Sequence, residues 1–139
     1  MEGSTRFGIG SMKLFIEASV GEVLDKFTIL RIKQERIADP AKGANVAREL
    51  ESLETSLRSM MPLSEDVSAV LEELQEINGE LWDIEDRIRD CERRQDFGET
   101  FVQLARQVYM TNDKRAALKR RLNESSGSAL VEEKSYSEY

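Results

Sequence analysis

In the middle of the chain Val67, Val70, Leu74, Ile77, Leu81, Ile84 and Ile88 recur in alternating steps of three and four residues. That spacing puts all seven on one stripe of a long helix, a stripe that another helix covers best. The pattern repeats on either side. Val20, Val23, Leu24, Phe27, Leu30 and Ile37 form a first stripe, while Ile29 and Ile32 fall off it. A helix with apolar residues on two faces is expected to be sandwiched, inside its own bundle or against a second copy. Val46, Leu50, Leu53, Leu57 and Met60 make a second stripe, and Phe101, Leu104, Val108, Leu118 and Leu122 a fourth.

Polar residues between the stripes supply starts and stops. Ser19-Val20-Gly21-Glu22 fits a capping box, in which a hydroxyl and a carboxylate satisfy orphaned backbone donors. Asp39 caps the second helix with Pro40 at its first position, Asn45 being the alternative cap. Pro62 stops that helix, and Ser64, followed by Glu65 and Asp66, starts the third. Asp96-Phe97-Gly98-Glu99 reads as a second capping box. Gly79 costs the third helix about 1 kcal/mol relative to alanine, which suggests a packing reason there.

These signals predict an all-α, antiparallel bundle of two helical hairpins, the second pair longer and coiled-coil-like, with short extended N- and C-terminal segments. Helices are expected at about 19–38, 40–60, 64–94 and 96–123, in one domain spanning 12–123. The long pair should overhang the short one. Residues 1–11, rich in Gly and Ser and followed by Met12, read as an expression-vector remnant. Lys13 to Glu17 is short enough to be a strand or extended chain. Ser125-Ser126-Gly127-Ser128 reads as a linker into a tail that is either frayed or loosely docked, or else paired with Leu14–Ile16 through Ala129–Val131.

Charge supports the second hairpin. Nine carboxylates and no base occupy residues 65–86, whereas Lys114, Arg115, Lys119, Arg120 and Arg121 close the fourth helix. A reversal near Asp96 lays the two blocks side by side.

Composition mainly excludes. A net charge of −7 disfavours nucleic acid or an anionic membrane as partner. No histidine occurs in the 139 residues, which removes His-based acid–base catalysis, Ser-His and Cys-His pairs and most zinc sites. One cysteine, Cys91, forms no internal disulfide and reads as a half-buried structural thiol. No run approaches the roughly 18 apolar residues of a membrane span, so a cytoplasmic location is expected.

Glu72, Glu73 and Glu76 match the Glu-Glu-x-x-Glu half of the magnesium site of all-helical nucleotide pyrophosphohydrolases, and Glu80 to Asp83 the Glu-x-x-Asp half. The resemblance would imply a magnesium-dependent hydrolase using Glu72, Glu73, Glu76 and Asp83. In that family the halves lie on separate helices, whereas here they share one. An acidic solvated face is the competing reading.

Thr111 and Arg115 fall where the fourth seam should be apolar. With Asp25, Lys26, Lys33 and Asn112 they make either a register-setting polar network or a small-anion site between helices, using Lys26, Lys33, Asn112 and Arg115. Basic and carboxamide groups of this kind also line helical chorismate-mutase pockets, although the motif order does not match. Trp82 and Tyr109 flank their stripes and, with Ile29 and Ile32, are candidate interface residues.

Residues 12–139, most distinctively Gly21 to Leu30 and Thr111-Asn112-Asp113, resemble a group of small bacterial all-helical proteins of unknown function. That resemblance implies a helical domain and brings no activity. The expectation is a non-catalytic interaction or assembly module, without cofactor or catalytic residues, forming a homodimer and open to an unidentified protein partner.

Overall fold

Three of the four helices begin where a short polar side chain captures a free backbone amide. The computed structural model describes residues 11–139, and residues 1–10 of the expected vector remnant lie outside the described residues. Helix α1 spans Val20–Arg36, α2 Pro40–Leu57 with a 3-10 turn at Arg58–Met60, α3 Glu65–Arg93, and α4 Glu99–Ser126. Ser19 Oγ accepts from Glu22 N at 3.1 Å, Asp39 Oδ2 from Lys42 N at 2.9 Å and Ser64 Oγ from Val67 N at 3.2 Å. These are the caps expected from sequence, with Asp39 and not Asn45 opening α2.

The fourth helix departs from expectation at both ends. Its N-cap is Gly98, with no side-chain hydrogen bond, so the capping box at Asp96 does not form. The reason lies in how α3 stops. Gln95 turns left-handed at φ 55°, its N–H bonds Glu92 O at 3.0 Å, and Asp96 N–H bonds Cys91 O at 2.9 Å. That is the paired closure usually made by glycine, and it commits Asp96 to ending α3. At the far end α4 runs through Ser125 and Ser126, where a linker was expected, and stops at left-handed Gly127, φ 70°.

Helices α3 and α4 are antiparallel. Leu74 packs with Leu118 and Leu122 near one end, and Cys91 with Leu104 near the other. Leu30 meets Val46 and Leu50, which sets α2 antiparallel to α1. Helix α1 packs against all three others, whereas α2 rests chiefly on α1. Leu24 joins Val67, Val70, Leu74, Leu118 and Leu122 in the main core. Leu74 and Leu122 are fully buried, and truncating such a leucine to alanine costs about 2–5 kcal/mol.

Beyond the end of α1 the α3–α4 pair continues alone. Its distal core, Ile84, Cys91 and Leu104 flanked by Ile88, Phe101 and Val108, draws on those two helices only. This is the expected overhang.

Other expectations are corrected. A Cβ at Gly79 would meet only the Arg36 guanidinium, at 3.7 Å, so no packing demand explains that glycine. There is no strand among the described residues, and Leu14, Phe15 and Ile16 stay at least 87% exposed, so the ribbon with Ala129–Val131 does not form. Of the basic block on α4, Arg121 reaches α3, with Glu73 at 3.7 Å, whereas Arg115 and Lys119 turn to α1. Those two lie one helical turn apart on the face that α1 covers, where acidic partners are closer. The apolar seam and the Gln95 turn therefore fix the reversal, with little help from charge.

Candidate functional site

Helix α1 approaches the end of α4 unusually closely, because Gly21 carries no side chain. Its N–H donates to Asn123 Oδ1 at 2.6 Å, and a Cβ on Gly21 would sit under 3.0 Å from the Lys119 carbonyl oxygen. One turn further along, that approach brings Asp25 of α1 to Arg115 of α4.

Asp25 is 2% exposed and Thr28 fully buried. Arg115 grips the carboxylate with both arms, Nε to Oδ1 at 3.0 Å and Nη2 to Oδ2 at 2.6 Å. Asn78 of α3 closes the network, its Nδ2 donating to Asp25 Oδ1 at 2.9 Å and to Thr28 Oγ1 at 2.8 Å. The Asp25 carboxylate raises the Arg115 pKa above its ordinary value against the opposing effect of burial. A buried carboxylate with three donated hydrogen bonds is satisfied, and it locks the register of α1, α3 and α4. Of the polar network anticipated, Asp25 and Arg115 take part, with Asp25 at the centre, whereas Thr111 is buried but bonds to none of these groups.

Next to the network lies a cleft of about 460 Å³ between the same three helices. Ile29 and Ile32 of α1 and Leu81 and Trp82 of α3 form its apolar lining. Asn78, Asn112 and Arg115, with Glu85, Asp86 and Arg89, form the polar lining. Asn78 is buried, yet its carboxamide oxygen accepts no hydrogen bond from the described residues, and neither does the Asn112 carboxamide make one.

The tail returns along α4, docked and not frayed. Ser128 Oγ accepts from Val20 N at 3.0 Å, and Glu132 meets Lys119 at 2.9 Å. Lys119 also pairs with Glu22 at 2.9 Å, so the carboxylate of the first capping box is spent on α4. Burial lowers the Lys119 pKa, but Glu132 and Glu22 outweigh it and leave the ammonium raised. Tyr139 donates to Asp113 Oδ2 at 2.6 Å and sits edge-on to Tyr109 at 5.2 Å. Between tail and α4 a second hollow, about 530 Å³, shares Asn112 and Arg115 with the cleft.

The structure thus gathers Ile29, Ile32, Trp82, Asn112 and Arg115, drawn from two separate sequence groupings, into one place. Ile32 is itself buried, at 4% exposure, and Tyr109 stands outside the cleft beneath Tyr139. The anion site does not assemble: Lys26 pairs with Glu49 of α2 at 2.9 Å, Lys33 lines neither hollow, and Asp25 neutralises Arg115. Of the magnesium residues, Glu72, Glu76 and Asp83 line one groove together with Arg31 and Arg36, and Asp83 pairs with Arg36 at 2.6 Å, whereas Glu73 turns away to Arg121 at 3.7 Å. Among the described residues no group of three acids, cysteines or histidines could hold a metal ion.

Asn78 and Thr28 went unnoticed in the sequence. Both carry a weak signal, since each lies four residues after a core leucine, Leu74 and Leu24, and directly follows a stripe residue, Ile77 and Phe27.

Fold and cleft together define a small all-helical domain with a cleft beside a buried ion pair. The chain belongs to the family of unknown function DUF6165, whose model matches residues 12–139. No curated protein and no solved structure matches it. No helix among the described residues is long and apolar enough to cross a membrane.

Proposed function

We propose that the chain is a non-catalytic assembly module that works as a homodimer, joined through the distal half of α3 and α4. The observation that carries this reading is the two-helix overhang. Two helices bury only the stripe between them, so their outward faces stay wet. Phe97, Val102, Tyr109 and Met110 are each more than 40% exposed there, large apolar side chains of the kind that a second copy would cover.

Charge favours a second copy as the partner. The whole chain carries −7, which opposes self-association in general. Residues 85–112 hold six acids, Glu85, Asp86, Asp90, Glu92, Asp96 and Glu99, against five arginines at 87, 89, 93, 94 and 106, a net of −1. Two copies meeting at this stretch avoid most of the repulsion and present both signs to each other. A buried, unpaired Cys91 suits a reducing compartment, so a cytoplasmic setting belongs to the same reading.

Sedimentation equilibrium across the micromolar range tests it. The expected species is twice the 15.9 kDa chain mass. Val102 and Tyr109 lie seven residues apart on one stripe of α4, and Val102→Glu with Tyr109→Ser is expected to shift the equilibrium to monomer without loss of helicity. A compact monomer of the unaltered chain at every concentration refutes the proposal.

A further inference from the structure

We infer that the α1–α3–α4 cleft binds a small amphipathic amine, with a hydroxyl seated on Asn78, an aromatic ring among Ile29, Leu81 and Trp82, and an ammonium on Asp86. The inference goes beyond the assembly reading and does not depend on it.

The first observation is a buried acceptor left over. Asn78 is 6% exposed and lines the cleft. Both N–H groups of its carboxamide are spent, on Asp25 and Thr28, so what remains for the cleft is Oδ1, which accepts nothing from the described residues. Buried polar atoms in folded proteins nearly always find a partner. A donor for this one has to enter through the cleft.

Arg115 is in the reverse condition. It stands beside Asn78, since the two share Asp25 Oδ1 as acceptor, at 3.0 and 2.9 Å. Its Nε and Nη2 hold Asp25, and the rest of its N–H fork is unused. A hydroxyl suits both neighbours, because it donates to the carboxamide oxygen and accepts from the guanidinium. An ammonium at this end could only donate, and would lie next to a fixed positive charge.

The far end of the lining makes the opposite demand. Glu85, Asp86 and Arg89 lie there, and Arg89 pairs with Glu85 at 2.7 Å, which leaves the Asp86 carboxylate without a partner among the described residues. Arg115 is already met by Asp25. The spare charge of the lining is therefore negative, and it sits away from Asn78. Between Asn78 and Asp86 α3 rises about 12 Å. A hydrogen bond at each end takes up about 6 Å of that, and an aromatic ring with a short carbon arm spans the remainder. Ile29, Ile32, Leu81 and Trp82 give that stretch its apolar lining, and 460 Å³ is a volume suited to a small ligand.

Tyramine carries these three parts and is the probe. Two matched controls each lack one end: phenethylamine the hydroxyl, para-hydroxyphenylpropionate the ammonium. Binding to the full chain is measured by isothermal titration calorimetry and located by the indole N–H signal of Trp82, the single tryptophan, in two-dimensional NMR. The expected result is saturable binding of tyramine with a shift of that signal. Phenethylamine should bind about tenfold more weakly, and para-hydroxyphenylpropionate not at all. Asp86 is exposed and unpaired, so Asp86→Asn keeps the fold, as circular dichroism checks, and should weaken tyramine by about tenfold. Neither heat nor signal movement with tyramine at about 10 mM overturns the inference. So does equal affinity for either control, binding that leaves Trp82 unmoved, or an Asp86→Asn chain that holds tyramine as tightly as the unaltered one.

Discussion

Replacing Gly21 by alanine should destabilise this protein, although the same change in an open helix stabilises it. Alanine is favoured over glycine in a helix interior by about 1 kcal/mol. At Gly21 the added Cβ would lie under 3.0 Å from the Lys119 carbonyl oxygen, 3.0 Å from Asn123 Oδ1 and 3.1 Å from the Lys119 carbonyl carbon. A backbone group cannot swing aside, so α1 and α4 must separate. Overpacking of this kind costs about 1–3 kcal/mol, and lifting α1 also weakens the Gly21–Asn123 hydrogen bond, about 1 kcal/mol net. After the propensity gain is subtracted, the expected loss is about 2 kcal/mol. For a chain of 139 residues that lowers Tm by roughly 7 °C. Gly43 is the internal control, since a Cβ there meets nothing within 4 Å. Gly43→Ala should raise Tm by about 3 °C, from the propensity gain alone. Urea and thermal unfolding followed by circular dichroism measure both. If Gly21→Ala proves as stable as the unaltered chain, the close approach does not position α1 and the origin assigned to the Asp25–Arg115 pairing fails with it.

Asp25→Ala strands Arg115 without its acceptor and leaves Asn78 with Thr28 alone; because the Arg115 side chain is 28% exposed, the expected loss in urea unfolding is about 2–4 kcal/mol, below the fully buried case. Asp25→Leu combined with Arg115→Met should recover most of it, and failure to recover would show that the pair does more than satisfy itself. The Lys119 ammonium holds the Glu132 carboxyl below the usual glutamate range. Its contribution to tail docking is therefore complete above that range and lost as pH falls through the depressed value. Tyr109–Tyr139 contacts followed by NMR should vanish in that acid window, and Lys119→Met should already lack them at neutral pH.

What could be read in the chain was whatever is local or periodic. The four stripes follow from helical spacing, and the caps at Ser19, Asp39 and Ser64 each need only three residues of context. Ile29 and Ile32 announced a second surface simply by falling off the first stripe, and they line the cleft. Asp96 misled because a left-handed Gln95 does what a glycine usually does, and nothing in a single glutamine signals that conformation. Gly79 drew attention that Gly21 deserved, since the distinction depends on which backbone passes overhead. Asp25 and Arg115 are 90 residues apart, so periodicity could say only that each needed a partner. The tail was opaque for the same reason: its contacts are single polar pairs, such as Glu132 with Lys119, that leave no repeat to detect.

Because α1 meets its polar partners so late in the chain, the protein faces an ordering problem during synthesis. Leu30, Val46 and Leu50 allow the first hairpin to close early, while Asp25 and Thr28 must wait in water for Asn78 and then Arg115. The nascent hairpin is thus committed in shape but incomplete in chemistry until Arg115, 90 residues after Asp25, has left the ribosome. A chain truncated before Arg115 should leave an unneutralised acid on its inner face, a mark by which quality-control machinery could distinguish it from the finished product.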